Sequence, residues 1–346
     1  MVSVTLVTSQ LTGTGADINF AGSLGCLLHS LNLLPNLTCL DIHDATFHLF
    51  CFFKTITSSS LRRTLQELLL TGQVGMFASI QEYCTHKSPF DNLKKFTLEL
   101  YASYDDEDPQ LESSLALEYF LRSLAPTLQS LKITSRSSTL DLSPLFDALS
   151  KTDSPVLFSN LISFSLCLHF NTSFRTSPQS LRHFLRTNNH LQHLQLDMSL
   201  SLPDPEDEEP LGAWLADLVN DNIHFPCLQT LDIYPSNTKT GLSAFLGLIK
   251  LTGPTLTSLI VSSRWLKSGM VNDVIDTLKE CEGQPKLLKS LTLNIVKLSV
   301  PILELLARKL PNLEKLTLSP IRFVGSGKVC FFFKIFSSIW LIDSIF

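Results

Sequence analysis

Apolar residues recur along this chain in one spacing: an apolar position, two free positions, a second apolar residue, one free position and a third. This LxxLxL line begins at Leu37, Leu65, Leu93, Leu128 and Leu161, and again at Leu191, Leu228, Leu256, Leu288 and Leu313. The lines read LTCLDI, LQELLL, LKKFTL, LQSLKI, LISFSL, LQHLQL, LQTLDI, LTSLIV, LKSLTL and LEKLTL. Self-similarity at a spacing of 25 to 37 residues marks a repeat array. In each line the last two apolar residues alternate with single polar ones, the period of a short, half-buried strand.

The segments between lines have helical character. Ser113–Leu124 carries apolar residues at three-and-four spacing. Ser143-Pro144 and Ser177-Pro178 each place a capping hydroxyl before a proline suited to the first helical position. Further helices are expected at Leu211–Val219, Leu242–Leu251, Val271–Leu278 and Ile302–Leu310. One strand and one helix per unit, stacked in register, predict an α/β solenoid. Its parallel sheet lines the inner, concave curve and the wider helices take the outer one.

In a stacked strand the residues between and just after the line's leucines point away from the core. They form the candidate binding face, most of it small and polar like Ser165. Its candidate contact residues are Asp41, Glu67, Leu69, Lys95, Lys132 and His193. Gln195, Asp232, Tyr234, Ile260, Asn294 and Lys315 complete the set. Leu69, Tyr234 and Ile260 are the large side chains among them, and interface energy concentrates in a few such anchors.

The two longest gaps between lines hold the strong acidic runs, Tyr104–Gln110 and Pro203–Pro210, which are expected as loops on one rim. Residues 1–30 read as a loop-rich lead-in, 31–324 as the repeat domain of about ten units, and 325–346 as an apolar tail. The tail admits three readings: a strand or helix covering the last repeat, a membrane anchor, or a segment outside the functional fold. Lys334 and Asp343 interrupt it, which disfavours a spanning helix.

Composition narrows the function. With 44 % apolar and 17 % charged residues there is ample material for a continuous core. Lys plus Arg number 27 against 32 Asp plus Glu, a formal charge of −5, which argues against a nucleic-acid backbone as partner. The eight cysteines show no CxxC or close pairing, so neither a disulfide framework nor a zinc site is expected. No secretory leader is evident, and a cytoplasmic or nuclear location is expected. Gly13 and Gly15 do not complete a phosphate-binding loop, and no HExxH, GxSxG or P-loop occurs. His43/Asp44 and His193/Asp197 are acid–imidazole pairs on or beside strand lines, best read as polar residues of a solvated face. No cofactor or catalysis is expected; the face is read as a surface for protein partners.

The lines resemble those of the leucine-rich-repeat family over residues 30–320, with unit lengths like its longer, helix-bearing, intracellular class. The resemblance implies a horseshoe. The family usually places Asn or Cys three residues past the line, where this chain has Ala45, Gln73, Ser199, Ser236 and Ile321. The phrases Phe120–Leu131, Leu34-Pro-Asn-Leu37 and Leu310-Pro-Asn-Leu313 look like the repeat regions of fungal F-box proteins. That resemblance implies substrate recognition for a ubiquitin ligase. No Leu-Pro-rich F-box module is found before the first line, so docking to the ligase scaffold is left open. The alternative is a general scaffold or a GTPase-regulating signalling protein.

Overall fold

The computed structural model describes residues 2–7, 30, 33–43, 49–73, 76–77, 88–101, 110–135, 137, 140–150, 158–170, 174, 176–198, 205–219, 223–280 and 288–323. The chain divides into two compact units: Met1–His169 with Ser173–Asn188, and Phe170–Thr172 with Asn189–Phe346. The apolar tail and most of the lead-in lie outside the described residues, as does the acidic run at 104–109.

The first unit contains strands β1 (Val2–Val7), β2 (Leu37–His43), β3 (Glu67–Gly72), β4 (Lys95–Leu100), β5 (Ser130–Ser135) and β6 (Ser163–Leu168). They pair in chain order, all parallel. Its helices are α1 (Leu49–Thr57), the single turn α2 (Leu61–Thr64), α3 (Gln110–Leu124), α4 (Ser143–Ser150) and α5 (Pro178–Thr187). The second unit contains β7 (His193–Asp197), β8 (Thr230–Ile233), β9 (Ser258–Leu266), β10 (Ser290–Leu298) and β11 (Lys315–Phe323), again parallel and in order. Its helices are α6 (Pro205–Val219), α7 (Lys239–Thr252), α8 (Ser268–Glu280) and α9 (Val300–Lys309).

Stacking is in register line on line. Leu40 pairs with Leu68, Leu68 with Phe96, Phe96 with Leu131 and Leu131 with Phe164. In the second unit Leu194, Leu231, Leu259, Leu291 and Leu316 continue the same way. These residues are buried except Leu316, which stays half-buried on the last strand. A backbone device repeats with them. The carbonyl of the second residue of a line accepts two successive N–H groups of the next line. Gln66 O accepts from Lys94 N and Lys95 N, Lys94 O from Gln129 N and Ser130 N, and Gln229 O from Thr257 N and Ser258 N.

Part of the tie between neighbouring repeats comes from the residue just before the line. Asn92 Nδ2 donates to Arg63 O at 2.6 Å, and Asn160 Nδ2 donates to Pro126 O at 2.5 Å. Both carbonyls lie two residues before the preceding line, so the contact is the same one repeated. Thr255, at the same slot, donates to Leu228 O at 2.7 Å. Ser236, three residues past its line, is fully buried; its hydroxyl lies 2.8 Å from Glu208 O and 3.3 Å from Thr238 N.

The first unit's core is rich in phenylalanine. Phe120 of α3 meets Phe53 of α1 and Phe96 of β4 edge-on, both at 5.3 Å between ring centroids. Farther along, Phe184 of α5 packs on Phe164 at 5.0 Å and Phe146 at 5.5 Å. Edge-to-face rings at these separations add to area burial. Asn188, fully buried, is satisfied by donating to Phe184 O and accepting from Phe158 N.

Helix boundaries differ from expectation in instructive ways. Ser177 caps α5, accepting from Ser180 N at 3.4 Å, as the Ser-Pro signal predicts. Ser143 does not act the same way: Asp141 Oδ1 accepts from its N–H and hydroxyl, and the Ser143 hydroxyl accepts from Ser177 N at 2.6 Å. The acidic run 203–210 is not a rim loop over its length, because α6 begins at Pro205 and incorporates it. Carboxylates suit the first turns of a helix, where they meet the positive end of its dipole, and Glu208 Oε2 also accepts from Asn237 N at 3.0 Å. Finally, Val2–Val7, inside the expected lead-in, is a strand whose Val4 and Leu6 pair with Leu40 and Ile42.

Candidate functional site

Each unit presents a sheet face opposite its core, built as rows because equivalent positions stack. In the first unit one row runs Cys39, Glu67, Lys95, Ser130, Ser163 and the next runs Asp41, Leu69, Thr97, Lys132, Ser165. A third contains His43, Thr71, Glu99, Thr134 and Cys167.

Charges on this face are partly self-satisfied. Lys95 Nζ lies 2.7 Å from Glu67 Oε1; the lysine side chain is 60 % exposed, so the pair contributes at most about 1 kcal/mol. His43 Nε2 lies 3.0 Å from Asp41 Oδ1, and Thr71 Oγ1 lies 3.2 Å from His43 Nδ1. This chain of carboxylate, imidazole and hydroxyl crosses two strands and fixes the His43 ring. Its hydroxyl end sits inside a ladder, with Thr71 paired to His43 on one side and Glu99 on the other. Lys132 sits half-buried in the middle row, and no ion pair engages it among the described residues. Leu69 is half-buried beside Asp41 and Thr97. Ser165 is only 8 % exposed and contributes little surface.

In the second unit the rows are His193, Thr230, Ser258, Ser290, Lys315 and Gln195, Asp232, Ile260, Thr292, Thr317. Gln195 Nε2 donates to Asp232 Oδ2 at 2.9 Å, a cross-strand bond that orients both side chains. Ile260 is half-buried between Asp232 and Thr292. His193 and Lys315 occupy opposite ends of the first row, with Lys315 exposed. No hydrogen bond joins His193 to Asp197 among the described residues. Asp44, the partner expected for His43, lies outside the described residues.

Tyr234 is not part of this face. Strand β8 stops at Ile233, and Tyr234, whose N–H donates to Leu196 O at 3.0 Å, turns into the protein with 2 % exposure. Its aromatic place is taken by a residue the line template misses. Strand β9 runs on past Val261 through a register shift, so Trp265 pairs with Asn294. Trp265 is 39 % exposed, and it shares the outward parity of Asn294 because its neighbour Leu266 is buried. The signal in the sequence was the alternation resuming at Trp265-Leu266 after an irregular Ser-Ser-Arg, which a fixed six-residue template cannot register.

No protein-family model matches the chain, and no curated protein is similar to it. The face must be read from its own chemistry.

Among the described residues, no group of three His, Cys, Asp or Glu side chains could hold a metal ion. Cys39 and Cys167 are half-buried, with Cys167 Sγ 3.6 Å from Ser165 Oγ, and Cys227 is exposed. Among the described residues no helix is long and apolar enough to cross a membrane.

Proposed function

We propose that the chain is a non-catalytic, leucine-rich-repeat-type binding protein that receives a protein partner on its sheet face. The observation that carries this reading is the composition of the rows. Small polar residues stacked in register keep the face wet and flat, and isolated large side chains rise from them: Leu69 in the first unit, Ile260 and Trp265 in the second. Interface energy concentrates in such few anchors, with tryptophan the residue most enriched among them. Pairs such as Gln195–Asp232 hold polar neighbours in place, which lowers the entropy lost when a partner docks. A catalytic reading of Asp41, His43 and Thr71 lacks support. The hydroxyl belongs to a mid-sheet threonine flanked by Glu99, whose charge opposes the developing anion of an acyl-transfer step.

Within this reading the partner is a substrate presented to a ubiquitin ligase of the F-box type, following the repeat phrases at Leu34–Leu37, Phe120–Leu131 and Leu310–Leu313. The test is affinity capture with the full chain and with Trp265→Ala/Ile260→Asp. The reading expects partners lost from the double variant and the ligase's adaptor subunit recovered with the wild type. Recovery of the partners without the adaptor removes the ligase assignment. Recovery unaffected by the double variant removes the face.

A further inference from the structure

A second surface, sharing no residue with the sheet face, has the chemistry of an anion site. Where α1 hands over to α2, Thr57, Ser58, Ser59, Ser60, Arg62 and Arg63 line a cavity of about 480 Å³, which Asp91 closes from the segment leading to β4. We infer that this cavity binds a phosphoryl group, with Arg63 and Ser60 as its principal donors.

The argument begins with local charge. From Ala45 to Gln66 the chain carries Lys54, Arg62 and Arg63 and no acidic residue, in a protein whose formal charge is −5. The single carboxylate in the cavity is already engaged. Asp91 Oδ1 accepts from Arg62 Nε at 3.0 Å and lies 2.9 Å from Arg62 Nη2. That pair orients the Arg62 guanidinium without using up its donors, since five N–H groups on a planar fork exceed what one oxygen can take. The backbone repeats the clamp, with Asp91 N donating to Arg62 O at 2.9 Å.

The hydroxyls divide in the same way. Thr57, Ser58 and Ser59 donate back to Phe53 O, Lys54 O and Ile56 O, which shapes the turn. Ser60 stands at the N-terminus of α2, exposed, and makes no side-chain bond to the helix it begins. Arg63 is likewise exposed, with no ion pair to any described residue; its backbone is used, the N–H donating to Ser60 O at 3.0 Å and the carbonyl accepting from Asn92 Nδ2, while its guanidinium is not. The result is one positioned guanidinium, one uncommitted guanidinium and one uncommitted hydroxyl around an opening large enough for a tetrahedral dianion. Arginine forks match phosphate oxygens in bidentate geometry, and such charge-assisted bonds are about twice as strong as neutral ones.

The same chemistry serves a free phosphate and a phosphate monoester on a partner protein, so the test uses both. The isotope-labelled full chain is titrated with inorganic phosphate at constant ionic strength, and amide shifts of Ser58–Arg63 are followed by NMR. The inference expects saturable shifts that chloride does not produce. Binding should weaken at least tenfold in Arg63→Gln and several-fold in Ser60→Ala, and stay unchanged in Lys297→Gln, a control on β10. Both altered side chains are exposed, so these variants fold. A phosphoserine peptide binding more tightly than phosphate assigns the site to a phosphorylated partner, and equal binding assigns it to the free ion. Shifts that do not saturate, or the same dissociation constant in Arg63→Gln, overturn the inference. Either outcome is independent of the sheet-face variants.

Discussion

Tyr234 and Trp265 show how much of the face one residue's register decides. Both are aromatic and both follow a line, but a strand that ends one residue early buries the first, while an irregular continuation presents the second. Replacing Tyr234 with Ala should therefore lower stability by roughly 3–5 kcal/mol, as for other buried aromatic truncations. Trp265→Ala, at a side chain with 39 % of its surface exposed, should lower the urea midpoint less than Tyr234→Ala and act chiefly on binding. The residue before each line offers a second test. Asn92 and Asn160 make the same bond to the preceding repeat, so Asn92→Ala and Asn160→Ala should each cost about 0.5–1.5 kcal/mol in urea unfolding, and should add when combined. The line leucines were legible in the sequence because burial demands one residue class at fixed spacing. These asparagines were not, because a side chain bonding a carbonyl about thirty residues away leaves no periodic apolar trace.

Between elements, α6 and α7 of the second unit approach closely. A Cβ added to Gly212 of α6 would stand 2.3 Å from Thr238 Oγ1, and one added to Gly241 of α7 would stand 2.4 Å from Ser236 Cβ. Thr238 is the N-cap of α7, accepting from Gly241 N at 3.0 Å. Gly212→Ala must displace that cap, so the expected cost is roughly 1–3 kcal/mol from overpacking. Gly269 near the start of α8 meets nothing within 4 Å, and Gly269→Ala should instead stabilise by about 0.4–1 kcal/mol by restricting the unfolded chain. Opposite signs for two glycine-to-alanine changes in helices of one unit, read by thermal unfolding, check the packing directly. The helices themselves were legible from three-and-four spacing and Ser-Pro starts. The start of α6 at Pro205 was not, because an acidic, proline-bounded run reads as loop until Glu208 is seen meeting the backbone at Asn237. Strand β1 was missed for a simpler reason: VSVTLV alternates correctly but lacks the line's opening leucine.

At the scale of the molecule, each unit stacks repeats whose neighbours share carbonyls, line leucines and side-chain ties, so its stability is spread along the array and not centred on one site. In the proposed reading, function is spread in the same manner. Rows of serine, threonine and paired charges supply a level surface, and the large side chains at Leu69, Ile260 and Trp265 supply the contrast on which a partner can gain affinity. Changes on the helix side should be silent for binding: Lys250→Ala, at an exposed pair with Glu280, serves as the matched control. The most direct test of the account is affinity capture by wild type, Trp265→Ala/Ile260→Asp and Lys250→Ala, with the unfolding midpoint of each recorded beside it. In the sheet-face variant Ile260→Asp sets a second carboxylate opposite Asp232 across the strands, so a lower but still cooperative transition is expected for it. The account predicts the same partners for wild type and Lys250→Ala, and their loss from the sheet-face variant at a temperature where it remains folded. Partners retained by the sheet-face variant and lost with Lys250→Ala would contradict it.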